Sequence, residues 1–423
     1  MERVAIVGTG VAGLGCAWNL RDAAHLTLIE KDTRPGGHTN TVDVEEDGRR
    51  LPIDTGFIVF NRVTYPNLCR LFTELGVEAK PSEMSFSVQH LASGLEYNGM
   101  GPNKLFAQRR NLFRPRFLAL VAKILHFFHV GRAALNSTEA ITMREFAEKH
   151  RLGEDFLNYY LVPMSSAVWS TDPRDVLNFP ATTLLRFFHN HGFLGVTTHH
   201  KWLTVAGGAR TYLEKILDVV GKPRLGNPAV SVSTGPEGAT LRFADGSSET
   251  FDRVILACHG DEALALLSDP DPLQRELLGP FRYQRNEATL HSWEGVMPRA
   301  RRAWAAWNYR VAEDANNGAT THYWMNALQG ISDKKNYFVS LNSKADIPRR
   351  HVLYETVYEH PVFSLPAIRA QEKLPSLNTR SHNQRVFFCG SYFKYGFHED
   401  AYTSGLELAR VLRGFQSRDE PPL

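Results

Sequence analysis

The stretch "VAIVGTGVAGL", residues 4–14, joins an apolar run to a cluster of three glycines. Val4–Val7 reads as a buried parallel strand, and Val11–Leu20 carries the apolar residues of a helix. Between them, Gly8 permits a tight turn and Gly10 lets the backbone approach a pyrophosphate. Gly13 lets helix and strand pack closely, and the helix N-terminus, from Val11 and Ala12, faces the negative charge. A second strand, "LTLIE" (26–30), ends in Glu30, about the 20 residues beyond the glycines that a ribose-binding acid requires. That carboxylate would accept hydrogen bonds from ribose hydroxyls and repel a 2′-phosphate, which disfavours NADP. The glycine spacing alone is common; strand, helix and terminal acid together make it a dinucleotide site.

The composition sets the frame. With 423 residues, 43% apolar and 22% charged, the chain has the make-up of a soluble globular protein large enough for two domains. A formal charge of +3 names no partner, and no nucleic-acid partner is expected. Cys16, Cys69, Cys258 and Cys389 form no CxxC pair and read as reduced thiols of a cytoplasmic protein. No signal peptide and no bilayer-spanning apolar run are visible. His189, His191, His199 and His200 cluster in sequence but follow no ligand spacing, so no metal is expected.

After Glu30 and Lys31 come "RPGGHTNT" (34–41) and "IDTGFIVF" (53–60), where Gly36–Gly37 offer a second close backbone approach. The run from Val4 to Thr41 resembles the N-terminal fingerprint of the flavoprotein amine oxidase, protoporphyrinogen oxidase and phytoene desaturase superfamily. That resemblance implies FAD as cofactor, flanked by Gly36, Gly37, His38 and Thr39 and by the strand carrying Gly56, Phe57 and Ile58. It also implies a backbone contact to adenine near Ala229 or Val230, in the alternating segment 227–259 that turns at Asp245–Gly246. Near the end, "RVFFCGSYFKYGFHEDAYTSGLELARVL" (385–412) reads as strand, glycine-rich loop and helix from about Glu399. The resemblance sets that helix N-terminus against the flavin, with Gly390, Ser391, Asp400, Ala401 and Gly405 at the matching positions. Relatives often carry an acid where this chain has Ser391.

The implied architecture is α/β, with a discontinuous Rossmann-like FAD-binding domain (1–62, 203–262, 380–423). A mixed helix/sheet substrate-binding domain of the α+β kind fills 63–202 and 263–379, and the tail "QSRDEPPL" (416–423) reads as disordered. Within the superfamily, "GGHTNTV", "DTGFIVFN", "MSSAVWST" and "YGFHED" are similar to a bacterial group of NAD/FAD-binding proteins associated with cyclopropane fatty acid synthases. A lipid-modifying methyltransferase partner is thereby implied.

No second GxGxxG and no cysteine pair are present, so electrons are expected to reach or leave the flavin directly, through substrate, oxygen or an external carrier. Where amine oxidases often carry a lysine, the strand 285–293 aligns Asn286. His398, with Glu399 and Tyr395, is the candidate for handling a proton, against the alternative that the loop residues only cap the helix. Aromatics at 304–309 and 322–326 could wall an apolar pocket. The segment 103–135 has no Asp or Glu among Lys104, Arg109, Arg110, Arg114, Arg116, Lys123 and Arg132. Its stripe Phe117, Leu120, Val121, Ile124, Leu125 and Phe128 suits either an anionic membrane surface or a helix buried with its arginines solvated. The expected function is an FAD-dependent oxidoreductase removing hydride from a hydrophobic substrate, a fatty acyl chain of a membrane lipid, in the cytoplasm and peripheral to the inner face of the membrane. The rivals are a flavin amine oxidase and a non-catalytic flavin-binding accessory subunit.

Overall fold

The computed structural model describes residues 1–139, 141–169, 173–196, 198, 200–312, 319–381 and 384–419. His199 lies outside them. The opening strand, Glu2–Val7, is the middle of a five-stranded parallel sheet. Ala24–Glu30 and then Arg224–Leu225 lie on one side; Arg253–Leu256 and then Val386–Phe388 lie on the other. Ile6 stands between Leu28 and Ile255, and Ile255 pairs with Phe387. These strands are near-continuous apolar runs because both faces of the sheet are covered. The sheet is therefore assembled from the beginning, middle and end of the chain.

Two helices cover one face. Val11–Leu20 leaves the first strand through Gly8, whose φ of +104° glycine alone adopts readily. A Cβ on Gly13 would sit 2.1 Å from the Gly8 carbonyl oxygen, which is the expected close helix–strand contact. The helix His398–Asp419 packs across Val11–Leu20. Gly405 makes that crossing, since a Cβ there would lie 2.3 Å from the Ala12 carbonyl oxygen. The expected flavin contact at Gly405 is thus corrected to a helix–helix contact. Of the expected disordered tail, 416–419 belong to that helix, which has no Gly or Pro after Phe415 to stop it before Asp419, and 420–423 lie outside the described residues.

A seven-stranded mixed sheet forms the second layer. Its order runs Val352–Val362, Arg282–His291, Phe338–Leu341, Ala319–Trp324, Trp307–Val311, Phe86–His90 and Leu95–Asn98. Every neighbouring pair is antiparallel except Trp307–Val311 with Phe86–His90. A helical cluster with its own core, including Phe127, Phe156 and Phe188, lies beyond it. Helices Pro272–Leu278 and Leu365–Gln371 bury Leu277, Leu278, Ala367 and Ala370 in the same core as the parallel sheet, although sequence groups them with the substrate half.

The expected strand through Gly56 to Ile58 is interrupted. Arg49–Asp54 ends before it, and pairing resumes only at Phe60–Asn61. Here the chain crosses the backbone at His38: Phe57 N–H donates to the His38 carbonyl at 2.8 Å, and a Cβ on Gly56 would lie 2.2 Å from that oxygen. The crossing brings two segments named in sequence into one wall.

Candidate active site

A cavity of about 1340 Å³ runs from the glycine turn, across the helix N-terminus at His398, to the helix Pro115–Ala133. It exceeds the roughly 300–1,000 Å³ of ordinary ligand pockets, as a space for a dinucleotide plus a second ligand would. Gly8, Gly10, Val11, Ala12, Glu30, Lys31, Gly37 and His38 line its nucleotide end. Gly56, Phe57, Ile58, Ala229, Val230, Gly390, Ser391, Tyr395, His398 and Ala401 also line it. Sequence reasoning thus placed most of its residues on one cavity.

The glycine turn is shaped to receive an anion. A Cβ on Gly10 meets nothing within 4 Å, so that position opens onto the cavity. Gly37, at φ +57°, comes within 3.5 Å of the Gly10 Cα by its would-be Cβ. Gly10 caps Val11–Leu20 with no side-chain acceptor, leaving the first amides of that helix to a ligand. Glu30 is held rigidly: the Thr9 amide (3.0 Å) and hydroxyl (2.6 Å) both donate to Oε2, and the Asp32 amide donates to Oε1 (3.1 Å). Lys31 pairs with Glu262 at 2.5 Å, and this carboxylate raises its pKa against the lowering effect of burial. Besides Gly405, four residues assigned to the cofactor lie behind the wall. Gly13 packs as expected. Gly36 donates to the Thr9 carbonyl at 3.2 Å, and the Thr39 hydroxyl bonds Tyr212; both support the turn, and neither lines the cavity. The fourth is Asp400.

The flavin-side loop sorts its polar residues by neighbour. His398 stacks on Phe57 with ring centroids 3.9 Å apart, and its Nε2 lies 3.0 Å from the Tyr212 hydroxyl. Burial pushes its pKa down to about 3, so the ring is neutral across the ordinary pH range and is suited to holding the loop. Glu399 does not reach the cavity. Its carboxylate accepts from the amide and side chain of Asn67 and from the Leu68 amide, at 2.9–3.0 Å, capping the helix Pro66–Glu74. The catalytic assignment of Glu399 is therefore corrected to a cap, because an acid that faces another helix's orphan amides cannot also face a substrate. The Asp400 side chain likewise turns from the cavity and accepts from the Phe397 amide at 3.0 Å, which leaves any cofactor contact at this position to the backbone.

Burial raises the Asp400 carboxyl to about 7, against the lowering effect of that amide hydrogen bond. A folded-state value above the unfolded one gives stability that is complete below about pH 4 and lost as pH rises through about 7. Asp400→Asn keeps an acceptor for the Phe397 amide and removes this titration. Its melting temperature should fall less steeply than that of the parent between about pH 4 and 7. Asp54, the other buried carboxyl raised to about 7, keeps part of the slope. A parallel pair of melting curves would contradict the burial of an ionisable group at 400.

The far half of the cavity is apolar. Trp169, Phe187, Phe193 and Trp202 form its inner wall with Tyr395, and Val121, Ile124, Leu125 and Phe128 form its outer end. Tyr160 lines it from a π-helical turn, Leu157–Leu161, a geometry frequent at functional sites. Of the aromatics singled out in sequence, Trp307 and Tyr323 line the cavity, whereas Trp304 and Trp324 pack edge to face in a separate core. His191 is a cavity residue that sequence reasoning set aside as a surface or core histidine. It stacks on Phe187, its Nδ1 bonds the Phe187 carbonyl at 2.9 Å, and burial lowers its pKa to about 4. His189 is exposed and His200 bonds the Asn190 carbonyl at 2.7 Å, so the described histidines of that cluster do not converge. None of the four cysteines forms a disulfide.

The model of the flavin containing amine oxidoreductase family matches residues 11–286. The chain belongs to that family. It is 25% identical over 290 residues to a 15-cis-phytoene desaturase of Arabidopsis thaliana, covering 63% of this chain and 50% of that protein. An 86-residue stretch is 37% identical to a 15-cis-phytoene desaturase of Synechococcus elongatus, covering 20% and 18% respectively. The chain thus spans half or less of the curated relatives it matches. Among solved structures, cyclohexylamine oxidase from Brevibacterium oxydans matches with TM-score 0.69 at 16% identity, over 99% of this chain and 100% of that one. A fatty acid isomerase from P. acnes matches with TM-score 0.68 at 14% identity, over 97% and 98%. At these identities the likeness is one of fold.

As a member of a flavin oxidoreductase family, the chain has FAD as its cofactor, and the residues present fit it. The open position at Gly10, the uncapped amides after it and the fixed Glu30 carboxylate suit the dinucleotide. The uncapped glycine turn and the loop Gly390–Ala401 lie on one continuous cavity with an apolar second half, as a flavin and its substrate together require.

Proposed function

We propose that the protein is an FAD-dependent oxidoreductase that removes hydride from a long apolar chain, the acyl part of a membrane lipid. One observation carries this reading. Among the described residues, every acid lining the cavity (Glu30, Asp32, Glu262, Glu359) belongs to the nucleotide end or its flank, and none accompanies the apolar wall from Trp169 to Phe128. An ammonium substrate would lose hydration there without a counter-ion, which is costly. A hydrocarbon loses nothing. Bound FAD supplies the hydride acceptor. The chain's own part is to exclude water and align the substrate along Trp169, Phe187 and Tyr395.

The outer end supports delivery from a bilayer. Met100, Leu125 and Val196 both line the cavity and are exposed, so the apolar lining continues onto the surface. Phe113, 86% exposed, stands just before the helix Pro115–Ala133. That helix divides its stripe: Phe117 and Leu120 enter the domain core, while Val121, Ile124, Leu125 and Phe128 face the cavity. Its cations divide as well. Arg116 forms a two-bond ion pair with Asp155 at 2.6 Å, and Lys123 donates to the Arg151 carbonyl. Among the described residues, Arg109, Arg110 and Arg114 bond only neutral acceptors, so they keep their charge for an anionic headgroup. No helix among the described residues is long and apolar enough to cross a membrane.

The test is anaerobic mixing of the holoprotein with vesicles rich in anionic lipid and, separately, with a panel of primary amines. Bleaching of the flavin by lipid and not by amines is expected. The triple variant Arg109→Ala, Arg110→Ala, Arg114→Ala should lose roughly 3 kcal/mol of vesicle binding, at about 1 kcal/mol per cation, with its flavin retained. Bleaching by amines alone, with peroxide released once air is admitted, would overturn the reading.

A further inference from the structure

Asn286 is fully buried in the middle of the strand Arg282–His291. Its side chain is the central link of a chain of hydrogen bonds with a fixed direction. The Glu287 amide donates to Asn342 Oδ1 at 2.9 Å. A backbone N–H can only donate, so the Asn342 amide is oriented with its Nδ2 outward, and Nδ2 donates to Asn286 Oδ1 at 2.8 Å. Asn286 Nδ2 is then left to donate to His360 Nδ1, also at 2.8 Å. Gln284 favours the same orientation. Its Nε2 reaches Asn286 Oδ1, and its carbonyl accepts from Asn286 Nδ2, both at 3.4 Å.

A neutral imidazole whose Nδ1 accepts a hydrogen bond carries its proton on Nε2. Burial lowers the His360 pKa to about 4, which keeps the ring neutral. His360 lines the cavity. Beside it lies His38, with ring centroids 5.1 Å apart; His38 is stacked on Tyr358 at 4.7 Å, and its buried Nε2 has no hydrogen-bond partner among the described residues. The wall at this point is therefore built of uncharged polar rings.

We propose that the Asn342–Asn286–His360 relay presents one uncharged N–H donor, His360 Nε2–H, to an acceptor oxygen or nitrogen of the ligand bound in the cavity. The relay makes the site selective for a neutral acceptor. His360 itself offers no charge and, with Nδ1 already bonded, no free acceptor, so an ammonium gains nothing from it. Asn286 and Asn342 are positioning residues: they touch neither ligand nor cofactor and set only which ring nitrogen carries the proton. The inference is independent of whether the substrate is an acyl chain.

The test is nitrogen-15 NMR of the full chain labelled at histidine, with His360→Gln identifying the His360 signals. In the parent protein His360 should show the Nε2–H tautomer and no titration between about pH 6 and 8. An Nδ1–H tautomer, or an ordinary titration near neutrality, would overturn the proposal without any variant being needed. Asn286→Asp keeps the bond from Asn342 and gives His360 Nδ1 a carboxylate to donate to. The ring should then carry a proton on Nδ1, and its pKa should rise. An unchanged His360 spectrum in that variant would also count against the relay. Finally, the Nε2 resonance of the apoprotein should shift on loading FAD, if the acceptor is on the cofactor. If it shifts only when oleate is added to the holoprotein, the acceptor is on the substrate. A resonance that moves in neither step would show that the donor faces no ligand.

Discussion

Gly10→Val should leave the fold intact and abolish FAD retention, lowering affinity by at least about a hundredfold, or about 2.7 kcal/mol. The fold survives because the new Cβ meets no atom within 4 Å and Gly10 has a φ of −64°, which any residue can adopt. Cofactor binding fails because the empty space beside Gly10 is the space a pyrophosphate needs to reach the uncapped amides of Val11–Leu20. The branched side chain would fill it and remove those donors from reach. The measurement is the ratio of flavin to protein absorbance after purification and after reconstitution, together with the far-ultraviolet circular dichroism. A folded variant that still takes up FAD stoichiometrically would show that the dinucleotide does not lie on the glycine turn.

Gly405→Ala should have the opposite character, damaging the fold first and the cofactor as a result. The added carbon would lie 2.3 Å from the Ala12 carbonyl oxygen and 2.9 Å from the Cys16 amide nitrogen. Both neighbours are helix backbone, so neither can move aside as a side chain would. The helices His398–Asp419 and Val11–Leu20 must separate, and overpacking of this kind costs about 1–3 kcal/mol, or more where backbone is displaced. Gly414→Ala is the control on the same helix: nothing lies within 4 Å, and the lower entropy of the unfolded chain should stabilise it by about 0.4–1 kcal/mol. Urea midpoints of the three proteins decide the matter. Equal midpoints for the parent and Gly405→Ala would remove the close crossing from the account.

The nucleotide half was legible because its signals are local. Strand, tight turn, helix and terminal acid follow one another within residues 4–30, and each obeys a rule of geometry that few other arrangements satisfy. The loop 390–401 was legible as a cofactor element, but the roles of its acids were not. Glu399 and Asp400 are adjacent in sequence, yet one caps a distant helix and the other folds back on the Phe397 amide. Which of these happens depends on where Pro66–Glu74 docks, and no local pattern records that. The basic helix was half legible: its stripe is real, but only packing decides that Phe117 turns inward while Leu125 turns to the cavity mouth. The His360 relay was missed although a trace of it exists. Alternation along Val352–Val362 puts Tyr358 and His360 on one face of the strand, and Asn286 stands opposite Tyr358. Only the register between two strands some seventy residues apart reveals that these side chains meet.

The crossing of Val11–Leu20 by His398–Asp419 also governs the order in which the protein can be made. A ribosome adds about 5–20 residues each second. The helix after the glycine turn therefore waits on the order of tens of seconds for the helix that covers it. Until then the surface around Ala12 and Cys16 has no cover from the end of the chain, and the strand Arg253–Leu256 lacks its neighbour Val386–Phe388. The strand and helix around the glycine turn are thus finished only after the segment 386–419 has been made. A complete cofactor cavity therefore cannot exist before the segment 386–419 is made, and the apolar face of the first helix stays open until then.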